Sequence, residues 1–187
     1  MKSYQITEWC HVTFEQQALN GGRYIDATMG NGYDTLFLCK LAGETGHVTA
    51  FDIQPQALEA TKELLHKNGL SHRASLICDS HVNMDCYAEP DSVDGIVFNF
   101  GYLPGGNHSL ATKASTSVTA VEKGLGLLKS GGVMSLCIYS GGDTGFEERD
   151  CLLEYVKNLD DRKYVVILST YYNRKNNPPL PVLIIKK

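Results

Sequence analysis

The chain has 187 residues, enough for one domain that buries roughly 70% of the surface it exposes when unfolded, so a core can form without metal or disulfide staples. Hydrophobic residues make up 43% and charged residues 20%, the proportions of an ordinary folded domain rather than of a disordered or fibrous chain. A net charge of −4 argues against coating nucleic acid through bulk charge and leaves room only for a local basic patch.

The pattern predicts, in order, a helix near Glu8 to Leu19, a strand at Tyr24 to Ala27, a short helix at Asp34 to Leu41 and a strand at His47 to Asp52. Pro55 to Asn68 reads as a helix with Leu58, Leu64 and Leu65 on one face, Pro55 in its first turn and Gly69 at its stop. Strands at Ser75 to Cys78 and Val93 to Asn99 follow, then a helix from about Thr112 to Lys129 ended by Gly131-Gly132. A strand at Gly132 to Tyr139, a helix at Glu147 to Asn158 and strands at Lys163 to Tyr171 and Pro181 to Lys186 complete the series. The last two strands have no room for a crossover helix between them, so they are expected to pair antiparallel. Alternation of this kind predicts an α/β fold, a seven-stranded and mostly parallel sheet with helices on both faces, as one domain over residues 1–187. It looks like the Rossmann-like class I methyltransferase fold.

No apolar run approaches the ~20 residues needed to cross a bilayer. The segment from Met1 to Glu8 also lacks the apolar stretch of a secretion signal, so a cytoplasmic protein without membrane attachment is expected. Six scattered cysteines, several inside apolar runs such as 75–78 and none in a Cys-x-x-Cys pair, read as buried reduced thiols rather than as a metal site or disulfide framework.

The first strand runs into Asp26-Ala27-Thr28-Met29-Gly30-Asn31-Gly32-Tyr33-Asp34-Thr35. Gly30 and Gly32 allow a tight turn and close approach to a ligand, and the helix that follows offers free N–H groups to an anionic group. S-adenosylmethionine (SAM) supplies a carboxylate for those N–H groups and an ammonium for Asp26, directly or through water. The second strand ends at Asp52, followed by Ile53 and Gln54, where a carboxylate can accept both ribose hydroxyls. NAD would use the same pair, but its fingerprint needs a third glycine where this chain has Thr35, so SAM is the expected cofactor. Asp79, with Ser80 and His81, is the candidate for the adenine amino group; capping of the next helix is the alternative for Asp79.

The fourth strand ends in Asn99-Phe100-Gly101-Tyr102-Leu103-Pro104-Gly105-Gly106-Asn107-His108, at the edge where open α/β sheets bind ligands. This resembles the Asn-Pro-Pro-Tyr motif of methyltransferases acting on amino groups, with Phe100-Gly101 in place of the prolines. In that arrangement the Asn99 carboxamide oxygen accepts from the target amine and Tyr102 stacks on the ring that carries it. An alkyl ammonium has no lone pair to attack with, so a base is wanted, and His108 and His81 are the candidates. Tyr139 opens a glycine-rich stretch that reads equally as pocket wall and as plain loop.

Together with the tail Asn173-Arg174-Lys175-Asn176-Asn177-Pro178-Pro179, these stretches identify the chain as resembling the bacterial tRNA 5-(aminomethyl)-2-thiouridine methyltransferases, formerly described as rRNA methylases. The resemblance implies a SAM-dependent enzyme that converts the aminomethyl group of a wobble uridine to methylaminomethyl. It places Gly101, Leu103, Pro104, Tyr139, Asn173, Arg174 and Lys175 on the substrate side. The expected partner is a tRNA anticodon arm, held by a patch of Arg174, Lys175 and Lys113 that a homodimer would double. Arg174 stands where the family's tail has glutamine, and Asn107 where aspartate is common, so no acid is available at 107 to act as base. Competing readings are methylation of ribosomal RNA or a small amine, a nicotinamide oxidoreductase, and a SAM-binding RNA chaperone without catalysis.

Overall fold

The computed structural model describes residues 4–101, 114–140 and 145–187. Tyr102, Leu103, Pro104, His108 and Lys113 lie outside them. Helix α1 (Ile6–Glu15) precedes β1 (Arg23–Asp26), and α2 (Tyr33–Ala42), β2 (His47–Asp52), α3 (Pro55–Lys67), β3 (Ala74–Cys78) and β4 (Val93–Phe100) follow. The chain then forms α4 (Ala114–Leu127), β5 (Leu128–Ile138), α5 (Gly145–Lys157), β6 (Tyr164–Leu168) and β7 (Leu180–Lys186). The described strands form one sheet in the order β3-β2-β1-β4-β5-β7-β6, in which β7 alone runs against its neighbours. The antiparallel ending expected from the short Tyr172 to Leu180 connection is therefore present.

Strand order reverses between β1 and β4, and their carboxyl ends lie side by side, with Asp26 opposite Val97. A crevice at such a reversal is where doubly wound sheets hold ligands. Alternation along β4 sends Ile96, Phe98 and Phe100 into a core shared with α4 and α5, while Val97 joins a second core of Phe14, Tyr24, Leu38 and Val48. Asn99, two residues beyond Val97, thus points to the face covered by α1 and α2.

Several elements depart from expectation: α1 ends at Glu15 rather than near Leu19, and β6 stops at Leu168 rather than Tyr171. The helix predicted to reach Lys129 ends at Leu127, and Leu128 already pairs with Val93 in β5. Gly131, at φ 80°, takes the extra residues around a break in register, and Lys186 Nζ donates to the carbonyls of Leu125 and Leu128 at 3.1 and 2.7 Å, satisfying the helix end. In α3 the buried seam is Ala57-Thr61-Leu65, with Leu58 and Leu64 only partly covered, because small residues let this helix close on the turn at Gly30. The cysteines divide: Cys10, Cys39 and Cys137 are buried thiols as expected, whereas Cys78, Cys86 and Cys151 are exposed. Cys78 is uncovered because β3 is the edge strand and only partly buried. Among the described residues, no helix is long and apolar enough to cross a membrane.

Candidate active site

The turn after β1 is built around buried acid. Asp26 is fully buried, accepting the Thr28 N–H at 3.1 Å and the Thr35 hydroxyl at 2.6 Å. Burial, reinforced by the Asp34 carboxylate, pushes its carboxyl up to about 7. Gly30 and Gly32 both take positive φ, 52° and 81°, and a Cβ on Gly32 would come within 2.6 Å of Thr61 Oγ1. Only glycine fits there. Asp52 closes the turn from the next strand, one oxygen accepting the Gly30 N–H at 3.0 Å and the other the Gln54 N–H at 2.9 Å. Beside it, Ile53 is half exposed and Gln54 is buried. Asn31 is exposed at the tip of the turn.

Asp79 accepts from the Ser80 N–H at 2.7 Å, Asn83 Nδ2 at 2.9 Å and the Tyr87 hydroxyl at 3.1 Å, and these donors hold its carboxyl below the usual carboxylate range. The helix cap itself falls to Ser80, whose hydroxyl accepts from Val82 N–H at the start of a 3₁₀ helix, His81–Cys86. His81 is mostly buried, edge-on to Phe98, with one ring nitrogen bonded to the Ala27 carbonyl and Nε2 without a partner among the described residues. Burial brings its pKa down to about 4, so it is neutral at pH 7 and a weak proton acceptor.

Asn99 is fixed at both ends. Its backbone N–H donates to Thr28 Oγ1 at 2.7 Å, and its side-chain NH2 donates to Asp34 Oδ2. The second Asp34 oxygen lies 2.5 Å from His11 Nε2, a ring that stacks on Phe37 with centroids 4.0 Å apart. His11 comes from α1 and was not expected at the site; nothing in its spacing reveals a contact with a helix 23 residues on. Cys10, Cys137 and Ser135 join it around a cavity of about 10 Å³ beneath Asn99, far smaller than any cofactor. Gly101 packs against Tyr139, which is 37% exposed at the end of β5, with burial and Cys137 raising its hydroxyl pKa.

The segment between β6 and β7 lies at the same carboxyl edge, because Ile138 pairs with Leu180. Asn173, Arg174 and Lys175 are exposed there, and Asn176 and Asn177 take consecutive positive φ of 66° and 46°. Arg174 donates to the Tyr4 carbonyl at 2.8 Å, with its guanidinium 4.1 Å over the Tyr171 ring.

A model of the family described as "Putative rRNA methylase" matches residues 48–185. The chain is also 35% identical, over 96% of its length and 68% of the relative's, to a chloroplastic tRNA (mnm(5)s(2)U34)-methyltransferase of Arabidopsis thaliana. The chain belongs to this methyltransferase family.

Solved structures agree. A Clostridium thermocellum "putative rRNA-methylase" is 40% identical with a TM-score of 0.95, and a Streptococcus mutans methyltransferase in complex with SAH is 36% identical with a TM-score of 0.88; each alignment covers both chains completely. The methyltransferase takes SAM as methyl donor. Its residues suit that group: the glycine turn leaves backbone N–H groups open at the start of α2, and carboxylates from β1 and β2 stand beside it. Residues expected at the site from β1, β2 and β4 converge on this crevice. Asp79 and Ser80 form a separate, mutually bonded cluster at the end of β3, and the tail residues reach the same edge from the far side of β5.

Proposed function

We propose that this methyltransferase acts on tRNA, converting the amino group of wobble 5-aminomethyl-2-thiouridine to methylamino, with Asn99 as the group that binds the amine. The observation that carries this is the pairing of the Asn99 NH2 with a carboxylate. A carboxylate only accepts, so the amide presents its nitrogen to Asp34 and keeps its carbonyl oxygen as acceptor at the carboxyl edge. An amine N–H donating to that oxygen has its lone pair directed away from it, and alignment is most of what a methyl displacement asks of a protein.

SAM, when bound, supplies an electrophilic methyl on a sulfonium centre. The amine held by Asn99 would take that methyl through its lone pair, leaving the S–C electrons on the departing thioether, and would shed one proton. Asp52 is suited to the ribose hydroxyls, Ile53 to the adenine face and Asp79 to its amino group, while the turn from Thr28 to Thr35 takes the amino-acid end. His81 is a poor acceptor for the proton, which leaves His108 as the candidate base.

Asn173, Arg174 and Lys175 make a small basic footprint for the anticodon arm, with Tyr139 and Gly101 on the substrate side. A second copy of the chain would double that footprint. The relative named for mnm(5)s(2)U34, the nucleoside that such a transfer would yield, supports this choice.

Methyl transfer from labelled SAM to tRNA from a host lacking this gene, followed by nucleoside mass spectrometry, tests the reading. Methylaminomethyl-thiouridine should appear as its aminomethyl precursor disappears; no transfer to tRNA refutes it and turns attention to ribosomal RNA or small amines.

A further inference from the structure

We infer that His11 is a positioning residue for methyl transfer, acting through Asp34 to hold the Asn99 carboxamide in the orientation that leaves its oxygen free for the amine. This rests on the amine-binding role of Asn99. The chain of contacts is continuous: His11 Nε2 meets Asp34 Oδ1 at 2.5 Å, and Asn99 Nδ2 donates to Asp34 Oδ2. Each carboxylate oxygen therefore has a donor of its own, and the Asp34 side chain is only 13% exposed.

The link matters because Asp34 decides which way the Asn99 amide faces. As a carboxylate it takes the amide NH2. Turned to another rotamer, it releases the amide, which can then flip and present its NH2 where the substrate needs an acceptor. Without the His11 donor, one Asp34 oxygen loses its partner and the side chain loses the contact that fixes its rotamer. The His11 contact opposes that rotation and keeps the amide the right way round.

The fold holds the ring as firmly as the carboxylate. Phe37, one turn after Asp34 on α2, is the platform on which His11 stacks at an interplanar angle of 6°. Phe14, one turn after His11 on α1, is fully buried and edge-on to both Phe37 and Tyr24. The two helices thus present donor, acceptor and supports in matched one-turn spacing. A histidine that merely filled space on α1 would not need a carboxylate in line with Asn99 near the end of β4.

Two substitutions separate the donor from the ring. His11→Phe keeps the stack on Phe37 and removes the donor; His11→Gln places an amide N–H near the position of Nε2 and removes the stack. His11→Phe should lower kcat on tRNA roughly 10- to 100-fold, the loss of one hydrogen bond to a charged group, with the KM for tRNA and the SAM affinity within about twofold of the parent. His11→Gln should regain most of that rate. In an Asn99→Ala background, His11→Phe should cost nothing further, since the residue it positions is gone. Parental turnover in His11→Phe alongside slow Asn99→Ala overturns the role of His11 and leaves the amine-binding role standing. Full turnover in Asn99→Ala overturns both. An additional loss in the double variant, or equal losses in His11→Phe and His11→Gln with weakened SAM binding, assigns His11 to packing and overturns the inference.

Discussion

Replacing Asp26 by asparagine reads out the electrostatic cost built into the cofactor turn. Asp26 is completely buried, its donors are the Thr28 N–H and the Thr35 hydroxyl, and the neighbouring charged groups are Asp34 and Asp52, both acidic. Its carboxyl therefore rises from 3.8 to about 7 in the folded protein. A raised folded-state pKa favours the fold while the group holds its proton; that contribution is complete below pH 3.8 and is lost as pH rises toward 7. At ~1.4 kcal/mol per pH unit, the loss between pH 5 and pH 8 comes to about 2–3 kcal/mol. Asparagine keeps the shape and an acceptor oxygen but cannot ionise. Urea unfolding of the cofactor-free protein should thus show Asp26→Asn gaining about 2–3 kcal/mol on the parent when the comparison moves from pH 5 to pH 8. A stability difference that is the same at both pH values refutes the account, since it would mean that Asp26 is already ionised at pH 5. With SAM seated at this turn as proposed, its positive charge stands beside the carboxyl, so binding near pH 7 should also release protons, seen as a calorimetric heat that varies with the buffer.

Asp52→Ala removes the carboxylate that braces the turn through the Gly30 and Gln54 N–H groups, and calorimetry should show SAM affinity falling by about 10- to 100-fold. Gly32→Ala forces a side chain into a left-handed position and against Thr61, so thermal unfolding should report a loss of at least ~1–3 kcal/mol; an unchanged melting temperature would contradict the described turn. Asn99→Ala should cut turnover by roughly 100-fold or more while SAM affinity stays near the parent's, as expected of a group that meets only the amine. His81, neutral in the fold with a pKa of about 4 against 6.5 when exposed, contributes stability above pH 6.5 that is lost as pH falls toward 4. His81→Leu should flatten that acid limb in a pH series of urea melts.

The α/β alternation was legible because each strand of the parallel sheet is a short β-branched run between helices of recognisable period, and the antiparallel finish followed from a connection too short for a helix. The turn at Gly30 and Gly32 and the acid at Asp52 were legible for a similar reason: one local backbone requirement dictates residue type at fixed spacing. What stayed hidden is long-range. The start of β5 at Leu128 looks helical by composition, and only pairing with Val93 makes it strand. The exposure of Cys78 depends on β3 lying at the sheet edge, a property of strand order and not of the run itself. His11 gives no local sign of its place, since its partner Asp34 stands on another helix and Asn99 lies 65 residues beyond that.

The position of α1 has a consequence for the order of events during synthesis. This helix is made before the strands it covers: it packs on β5 and β7, and the Tyr4 carbonyl is met by an arginine 170 residues later. At ~5–20 residues per second, the helix waits roughly 10–30 s for its seat to exist. Until then Ile6 and Cys10, which pack with Cys137, are uncovered, whereas Phe14 and His11 already have Tyr24, Phe37 and Asp34 to meet. One end of α1 can thus close on α2 as soon as both exist, while its other end waits for the last strand, and the seam between them is the final one to seal.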